Sequence, residues 1–428
     1  MKRSIIALQS LAASLAFAAL ALTACSDQPD KYEPTDGSPQ VQYIRLPASP
    51  DSIITQSYMQ RTICLVGNNL RSIRRLFFND REALLNSSFI TDNTLLVDIP
   101  GDIPSAVTDK IYMVNGDGDT TTYAFHVIVP PPSVMAMSCE YAPAGEEVTI
   151  TGDYFIQDPY KPLQIRFNDN SLAVTDIKSI SKNSITFTMP TGATSGRVVV
   201  ESVYGKGESA FVYKDTRNII FDFDGSHGGM KQGHGWRAGN IRTGGIDGSY
   251  LFFGGVKMLG KVGATWAEDN FAMNYWPEPA AGFPEISSIP SIKAMLDTCN
   301  IADLALKFEC RVPANKAWSA SALQAIFTGN SDVTMATANS QYYSNANLPR
   351  GLWIPWQASG SYNTGNKWVT VTMPLSAFNK TGDGQTASSP LTKERLTGFT
   401  FFLWSGGVEG TDCEPELFID NVRLVPAQ

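Results

Sequence analysis

The chain has little positive charge and few histidines. Its 428 residues include 33 Lys and Arg against 41 Asp and Glu, a formal net charge of −8. Proteins that bind nucleic acid need a basic face to neutralise phosphates, and no basic stripe occurs here, so a nucleic-acid partner is excluded. The three histidines are His126, His227 and His234. The last two lie seven positions apart without a third ligand nearby, which favours a polar loop over a metal site.

Helical periodicity is also scarce. Short alternating runs rich in Val, Ile, Thr, Phe and Tyr recur instead, separated by clusters of Gly, Pro, Asn and Asp. This pattern predicts an all-β protein. A chain of this length is too long for one ordinary core, so we expect two or three domains.

A long apolar run occurs only near the N-terminus. Lys2 and Arg3 precede the run, which covers residues 5–22 and ends in Leu22-Thr23-Ala24-Cys25. This order predicts a secretory signal peptide over residues 1–24, the alternative being a permanent helical anchor. Cys25 resembles the lipidated cysteine of a lipobox, which implies attachment to a membrane through acyl chains. Residues 25–39 are rich in Pro, Asp, Gly and Ser and read as a flexible tether.

Beyond Cys25 the sequence has an odd number of cysteines and no metal-type spacing. They are Cys64, Cys139, Cys299, Cys310 and Cys413. Cys299 and Cys310 are close enough in sequence to pair, but at least one thiol must stay free. Most are interpreted as buried free cysteines without chemistry.

An internal repeat follows the tether. Strand-like runs end at Gly67 and Gly152, 85 residues apart (152 − 67), and at Pro100 and Pro190, 90 residues apart (190 − 100). Their size and strand spacing predict two immunoglobulin-like sandwiches, over residues 40–130 and 131–215. The second copy resembles the IPT/TIG family from Pro143 to Gly152, whereas the first copy departs from that pattern at residues 61–64. Neither copy contains a tryptophan or an obvious catalytic constellation, so both are interpreted as spacers.

All eight tryptophans lie in the C-terminal part, residues 216–428. They are Trp236, Trp266, Trp276, Trp318, Trp353, Trp356, Trp368 and Trp404. Several stand beside glycines, prolines or other aromatics, settings that favour loops and strand ends. A large ring that stays half exposed is costly unless a ligand covers it, so this region is predicted to present an aromatic platform.

The C-terminal part reads as a larger jelly-roll sandwich. It opens with a strand-like run at residues 218–225 and closes with one at 416–424, and such runs pair edge to edge in jelly rolls. Side-chain alternation predicts that Phe399, Phe401 and Leu403 face the core, with Trp404 looking outward. The same alternation points Val371 inward and leaves Trp368 on the opposite face, where it either binds or packs under loops.

The candidate binding groups are rings together with acid and amide side chains that read hydroxyl orientation. The rings are Trp236, Trp266, Tyr275, Trp276, Trp353, Trp356 and Trp404, and the polar groups are Asp269, Asn270, Asn274 and Gln357. Tyr275 and Trp276 are placed in a proline-rich loop. Of Trp353 and Trp356, which differ in parity, one is expected to pack and the other to be presented.

Two strand sequences carry a family resemblance. The closing run Leu417 to Leu424 and the run Trp368 to Leu375 resemble strands of non-catalytic carbohydrate-binding jelly rolls. With the lipobox and the tandem Ig-like modules, the chain resembles the type B surface glycan-binding proteins of Sus-like polysaccharide utilisation systems. That resemblance implies a monomeric, lipid-anchored protein on the outer-membrane surface. It would capture a β-glucan such as xyloglucan, mixed-linkage glucan or β-1,3-glucan and pass it to a TonB-dependent transporter.

Catalysis is not predicted. A glycoside hydrolase needs two positioned carboxylates, and the nearest pair here, Glu414 and Glu416, has a proline between them. A stalked lyase or hydrolase, and an adhesin that binds protein, are the alternatives left open. No cofactor is predicted, although Asp222, Asp224 and Asp420 are candidates for a structural calcium ion.

Overall fold

The computed structural model describes residues 32–158, 161–261, 268–329, 348–404 and 408–427. The described residues form 27 β-strands with only short helices, which confirms the all-β prediction. No helix among them is long and apolar enough to cross a membrane. The chain divides into two compact units, residues 1–130 and 131–428.

The first unit contains two main sheets. Its strands are β1 (Gln40–Arg45), β2 (Gln56–Tyr58), β3 (Thr62–Asn68), β4 (Arg75–Phe78), β5 (Arg81–Ala83), β6 (Thr94–Asp98), β7 (Lys110–Val114), β8 (Thr120–Ala124) and β9 (His126–Ile128). One sheet has the order β1-β3-β6, the other β5-β4-β7-β8, and β2 pairs with β9 in parallel. Alternate residues such as Leu95 and Val97 in β6 and Ile111 and Met113 in β7 are buried, as expected of a sandwich with one wet face per sheet.

The second unit begins with another small sandwich. Its strands are β10 (Ser133–Met137), β11 (Glu147–Asp153), β12 (Gln164–Phe167), β13 (Leu172–Ala173), β14 (Ile177–Ile180), β15 (Ser184–Thr188), β16 (Val199–Ser202) and β17 (Gly205–Glu208). The sheets have the orders β10-β11-β15-β14 and β13-β12-β16-β17. Ile150 and Phe187 from the first sheet share one core cluster with Ile165 and Val200 from the second, so the two sheets pack face to face.

A larger sandwich completes the second unit. Its strands are β18 (Ile219–Phe221), β19 (Asn240–Thr243), β20 (Ser249–Phe253), β21 (Ala272–Tyr275), β22 (Leu304–Arg311), β23 (Ala322–Thr328), β24 (Gly351–Trp353), β25 (Val369–Pro374), β26 (Gly398–Trp404) and β27 (Leu417–Pro426). One sheet has the order β19-β20-β27-β22-β25 with β18 also paired to β27, and the other has the order β21-β26-β23-β24. Opening strand β18 and closing strand β27 pair antiparallel, as the sequence predicted.

The helices are short connections. The α-helices cover Glu268–Phe271 and Pro290–Thr298. The 3₁₀ helices cover Leu70–Ser72, Ser87–Phe89, Pro279–Ala281, Ile286–Ser288, Ile301–Asp303, Ala314–Lys316, Leu375–Ala377 and Lys393–Arg395. The cysteines at positions 64, 139, 299, 310 and 413 are all free thiols, so Cys299 and Cys310 do not form a disulfide.

The faces of β26 differ in part from the prediction. Phe399, Phe401 and Leu403 lie in the main core, as alternation indicated. Thr400 and Phe402, on the opposite face, are also fully buried. This face was expected to look outward, but at these two residues it is covered. Alternation identifies which residues share a face, but it does not tell whether anything covers that face.

The small sandwich of the second unit is docked on the outer face of the six-stranded sheet. Glu140, three residues after β10, bonds through its two carboxylate oxygens with Lys307 Nζ at 2.6 Å and Arg423 Nη2 at 2.8 Å. Arg423 also contacts Glu309 at 2.7 Å. The Thr370 backbone amide donates to the Ser138 carbonyl at 2.9 Å. These contacts form a buried ionic interface that the sequence analysis did not predict.

Candidate glycan-binding surface

One large ring of the C-terminal sandwich is open to solvent. Trp236 is 59% exposed, and among the described residues from 216 onward it is the one large apolar side chain classed as exposed. Its backbone segment runs beside β21, because the His234 amide donates to the Asn274 carbonyl and the Trp276 amide donates to the His234 carbonyl, each at 2.8 Å. The Asn274 amide in turn donates to the Arg237 carbonyl at 2.7 Å. Residues 233–237 therefore extend the edge of the four-stranded sheet.

Trp236 rests against a second tryptophan. Its ring centroid lies 5.9 Å from that of Trp276, with an angle of 63° between the planes. Gly235 makes this approach possible: its φ is +140°, and a Cβ there would lie 2.9 Å from Trp276 Cε3. Trp276 itself is only 2% exposed, so it supports Trp236 from below.

His234 ties this segment to the loop that follows β21. Its ring stacks on Phe283 with a centroid distance of 3.6 Å and an angle of 8°. Its Nδ1 lies 2.8 Å from the Trp276 carbonyl oxygen and must carry the hydrogen there, because a carbonyl only accepts. Its Nε2 lies 3.4 Å from Glu278 Oε2. The imidazole is thus held on three sides and fixes the backbone on which Trp236 stands.

Charged groups pair with the residues next to Trp236 in the chain. Arg237 Nε lies 3.4 Å from Asp269 Oδ1, and the Asp269 side chain is 92% exposed. Glu278 is exposed on the neighbouring loop. An open ring offers a stacking surface for a pyranose, and carboxylates and a guanidinium on the same segment and the adjoining loop offer partners for its hydroxyl groups.

A buried polar layer continues from this surface across the four-stranded sheet. Asn274 Nδ2 donates to Thr400 Oγ1 at 3.2 Å, and Arg350 Nη1 donates to Gln324 Oε1 at 2.8 Å. All four side chains are at most 1% exposed. They lie on the face opposite the main core, where one bond links β21 with β26 and the other links β23 with the residue before β24.

The structure corrects the placement of Tyr275, Trp276 and Asn274. Tyr275 belongs to β21 and is fully buried, and its hydroxyl donates to the Pro284 carbonyl at 2.6 Å. Burial raises the pKa of its phenol. β21 ends at Tyr275, so Trp276 alone of the three lies in the segment that leads into the prolines, which mark the end of a strand. The sequence predicted that the three side chains are presented to solvent, but all three are buried.

Trp353 and Trp356 both pack, which corrects the prediction that one of them is presented. Trp353 is half buried and contacts Trp318 at 5.4 Å and Tyr362 at 5.5 Å between ring centroids. Trp356 is 6% exposed, and its Nε1 donates to the Ser321 carbonyl at 2.8 Å. Trp353 ends β24 and Trp356 follows it in a loop, and both lie against the core cluster; the proline between them prevents a ladder but not packing.

The other candidates have mixed placements. Asp269 and Gln357 are exposed, whereas Asn270 is half buried and its Nδ2 donates to the Gly254 carbonyl at 2.9 Å. Cys25, Trp266 and the side chain of Trp404 lie outside the described residues. Sequence reasoning missed Glu278 and Phe283 and read His234 only as a loop residue. The sequence signal that could have identified this surface is Gly233-His234-Gly235-Trp236, in which two glycines allow close backbone approach beside an exposed ring.

Two family models match this chain. The surface glycan-binding protein B xyloglucan binding domain matches residues 213–426, and the IPT/TIG domain matches residues 132–216. The chain is also 26% identical, over 220 residues, to an IPT/TIG domain-containing protein of Bacteroides ovatus. That match covers 47% of this chain and 43% of the relative, so the chain spans less than half of the relative's length.

Solved structures match over most of the chain. The surface glycan-binding protein PbSGBP-B from Prevotella bryantii is 37% identical with a TM-score of 0.77, covering 92% of this chain and all of that one. An SGBP-B from a complex xyloglucan utilization locus in Bacteroides uniformis is 16% identical with a TM-score of 0.44, covering 91% of this chain and all of that one. Since the first family model spans half of the chain and the P. bryantii structure aligns with nearly all of it, the chain belongs to the surface glycan-binding protein B family.

Proposed function

We propose that this protein captures a β-glucan, such as xyloglucan, mixed-linkage glucan or β-1,3-glucan, on the surface centred on Trp236. The observation that carries the proposal is the exposed indole, backed by Trp276, on a segment whose His234 and Arg237 pair with Glu278 and Asp269. Family membership supports the choice of ligand, because the matching family model is described as a xyloglucan-binding domain. In the proposed complex the C–H face of a glucosyl ring stacks on Trp236, and the carboxylates accept hydrogen bonds from its hydroxyl groups.

The expected affinity is modest. One pyranose face covers about 100 Å² of an indole, worth roughly 2.5 kcal/mol at about 25 cal/mol per Å². Hydrogen bonds to charged groups add about 1.5–3 kcal/mol each, and ordering a flexible chain subtracts from the sum. The balance corresponds to a dissociation constant of about mM to μM, which suits a receptor that must release its ligand to uptake machinery.

Substitution of Trp236 tests the proposal. Trp236→Ala should lose retention in affinity electrophoresis on xyloglucan or mixed-linkage glucan gels, with unchanged mobility in a gel without polysaccharide. Phe89→Ala is the matched control, because Phe89 is a similarly exposed aromatic (54%) in the first unit. Equal retention of the Trp236 variant and the wild type on every glucan would overturn the assignment of this surface.

We further propose that the protein binds glycan without cleaving it. Glu414, one of the two carboxylates considered for hydrolysis, lies 3.3 Å from Lys316 Nζ in an exposed ion pair, which offers no sign of a tuned catalytic acid. Incubation of the protein with β-glucans should release no reducing ends and no unsaturated products. Their release by the wild type but not by Glu414→Gln would favour the enzymatic alternative instead.

We also propose that Cys25 is lipidated and holds a monomeric protein at the outer-membrane surface, where it passes glycan to a TonB-dependent transporter. Support comes from the lipobox-like sequence and from family membership. Labelled palmitate should be incorporated into the wild type but not into Cys25→Ala. Protease added to intact cells should degrade the wild-type protein, and its protection would contradict a surface location.

A structural calcium ion is proposed near the closing strand. Asp420 Oδ2 and Asn421 Oδ1 are buried and have no hydrogen-bond partner among the described residues. Asn421 Nδ2 donates to Asp247 Oδ1 at 3.1 Å, which brings a third side chain close. Such hard oxygen donors fit Ca²⁺, which would fix the closing strand rather than take part in glycan contact.

The predicted acid trio does not gather as a ligand set. Both carboxylate oxygens of Asp222 accept backbone N–H bonds, from Gly225 and His227. No group of three His, Cys, Asp or Glu in the described part of the chain is placed to hold a metal, so the site relies on Asn421 and further oxygens. Calcium should raise the melting temperature of the wild type relative to EDTA and leave that of Asp420→Asn unchanged. An equal response of both proteins would exclude this site.

A further inference from the structure

A second aromatic cluster lies on the outer face of the six-stranded sheet. In register across the strands, Phe252 of β20 lies opposite Phe418 of β27, and Phe418 lies opposite Arg311 of β22. Tyr250 and Arg242 form another cross-strand pair between β20 and β19. Trp368 directly precedes β25 at the far side. We name this set the arginine–aromatic strip: Arg242, Tyr250, Phe252, Arg311, Trp368 and Phe418.

Each arginine of the strip covers a ring. Arg242 Cζ lies 3.3 Å from the centroid of Phe252. Arg311 Cζ lies 4.1 Å from Phe418 and 5.4 Å from Trp368, so its guanidinium contacts both rings, whose own centroids are 6.4 Å apart. A guanidinium stacked in this way uses its flat faces for the rings and leaves its N–H groups pointing outward from its edge.

These N–H groups have no side-chain or ion-pair partner among the residues that the structure describes. Neither Arg242 nor Arg311 makes an ion pair or a side-chain hydrogen bond within the described ranges, and Arg311 Nε is buried without an acceptor. Other arginines of this unit are paired: Arg217 with Asp215 at 2.8 Å, and Arg423 with Glu309 at 2.7 Å. Two unpaired guanidiniums on one sheet face of a protein with net charge −8 are ready to bind an anion.

The exposure pattern selects the kind of anion. Tyr250, Phe252 and Phe418 are buried beneath the arginines, whereas Arg242 is exposed and Arg311 and Trp368 are half buried. A ligand therefore meets guanidinium edges and part of an indole. A planar carboxylate matches the guanidinium fork in a bidentate pair, and a sugar ring bearing that carboxylate can pack on the indole. A neutral glucan would leave the two charges uncompensated.

Glu416 is a carboxylate expected close to this strip, where it would oppose the binding of an anion. Glu416 is two residues before Phe418 in the chain and hence is expected on the same face of β27. It forms no ion pair in the part of the chain that the structure describes, so it does not neutralise either arginine. Its negative charge should weaken the attraction of the strip for an anionic ligand, which gives the experiment a variant with the opposite sign.

We propose that the arginine–aromatic strip binds a uronate-bearing saccharide, at a site separate from the Trp236 surface. Arg311 and Arg242 bind the carboxylates, and Trp368 contacts the ring. The simpler alternative is that the arginines only cover the rings and stabilise the sheet. The two ideas differ in one measurable respect, because a purely structural cover has no affinity for an acidic sugar.

Calorimetric titration with trigalacturonate tests the proposal, with cellotriose as the neutral counterpart. The wild type should bind trigalacturonate, and Arg242→Gln/Arg311→Gln should bind it at least about tenfold more weakly, the loss expected for a charge-assisted bidentate bond. Glu416→Gln should bind more tightly, and 0.5 M NaCl should weaken binding. Arg61→Gln, which changes an exposed arginine of the first unit, is the matched control and should bind as the wild type does.

Additional variants and a stability measurement separate loss of binding from loss of folding. Thermal unfolding of each variant shows whether the fold persists, and Arg311→Lys retains the charge but not the bidentate geometry, so it should recover only part of the affinity. Trp236→Ala should lose neutral glucan but keep trigalacturonate, which separates failure of this site from failure of the proposed function. Absence of trigalacturonate binding by the wild type, or equal binding by wild type and the folded double variant, would overturn the proposal.

Discussion

Removal of Glu140 should uncouple the two sandwiches of the second unit. Glu140 is 3% exposed and contacts Lys307 and Arg423, which are also buried. Together with Glu309 the cluster contains two carboxylates and two cations, so it is electrically balanced. Glu140→Ala leaves both cations facing Glu309 alone, with one uncompensated buried positive charge.

The size of the effect follows from burial. Breaking a buried ion pair by removing one partner costs about 3–5 kcal/mol, because the remaining charge stays out of water. Glu201 provides the matched control: it also contacts two lysines, Lys161 and Lys206, each at 3.4 Å, but on the exposed side of the same small sandwich. Exposed pairs contribute about 0–1 kcal/mol, so Glu201→Ala should hardly change stability.

Urea unfolding measures both effects. The sample is the full mature chain, and the transition that is followed is that of residues 131–428. Tryptophan fluorescence follows the large sandwich, which contains every tryptophan. We expect Glu140→Ala to lower the unfolding free energy by about 3–5 kcal/mol. Adding Lys307→Met should restore part of the loss because it removes the uncompensated charge. Similar losses for Glu140→Ala and Glu201→Ala, or no rescue by Lys307→Met, would refute the reasoning.

Three further predictions concern the site and the closing strand. Gly235→Ala places a Cβ against Trp276 at a strained φ, so it should cost about 1–3 kcal/mol in unfolding free energy and weaken glucan retention in affinity gels. Tyr275→Phe removes a buried hydrogen bond to Pro284, so it should lower the unfolding free energy by about 1 kcal/mol without changing glucan retention. Loss of glucan retention in this variant would show that Tyr275 takes part in binding. Burial, together with a nearby acidic side chain, raises the pKa of Asp420 to about 9, so the folded protein keeps a proton that the unfolded chain releases near pH 4. Denaturation in EDTA should therefore show an unfolding free energy that falls as pH rises from about 4 to about 9, and this slope should flatten in Asp420→Asn.

Local sequence patterns anticipated most of the strands. Alternation placed Phe399, Phe401 and Leu403 on the core side of β26, and the opening and closing runs paired as β18 and β27. These features depend on the period of the strand and on which runs are apolar, and both can be read along the chain. The IPT/TIG-like start of the second sandwich was equally local.

Exposure of the rings was decided by tertiary structure. Trp276, Trp353 and Trp356 stand in sequence settings much like that of Trp236, yet they are buried or half buried and Trp236 is open. The difference arises because β21, the core and the neighbouring loops cover Trp276, Trp353 and Trp356. Gly235, which has no Cβ, allows the segment that carries Trp236 to pass close to Trp276.

The docking of the small sandwich on the large one was also decided by tertiary structure. Glu140 and Arg423 are 283 positions apart, and no local pattern marks them as partners. The sequence alone determined the all-β class, the repeat and the concentration of tryptophan in one part. Only the folded chain decided which indole meets solvent and which charges meet each other, because burial and ion pairing depend on residues that are distant in sequence and adjacent in space.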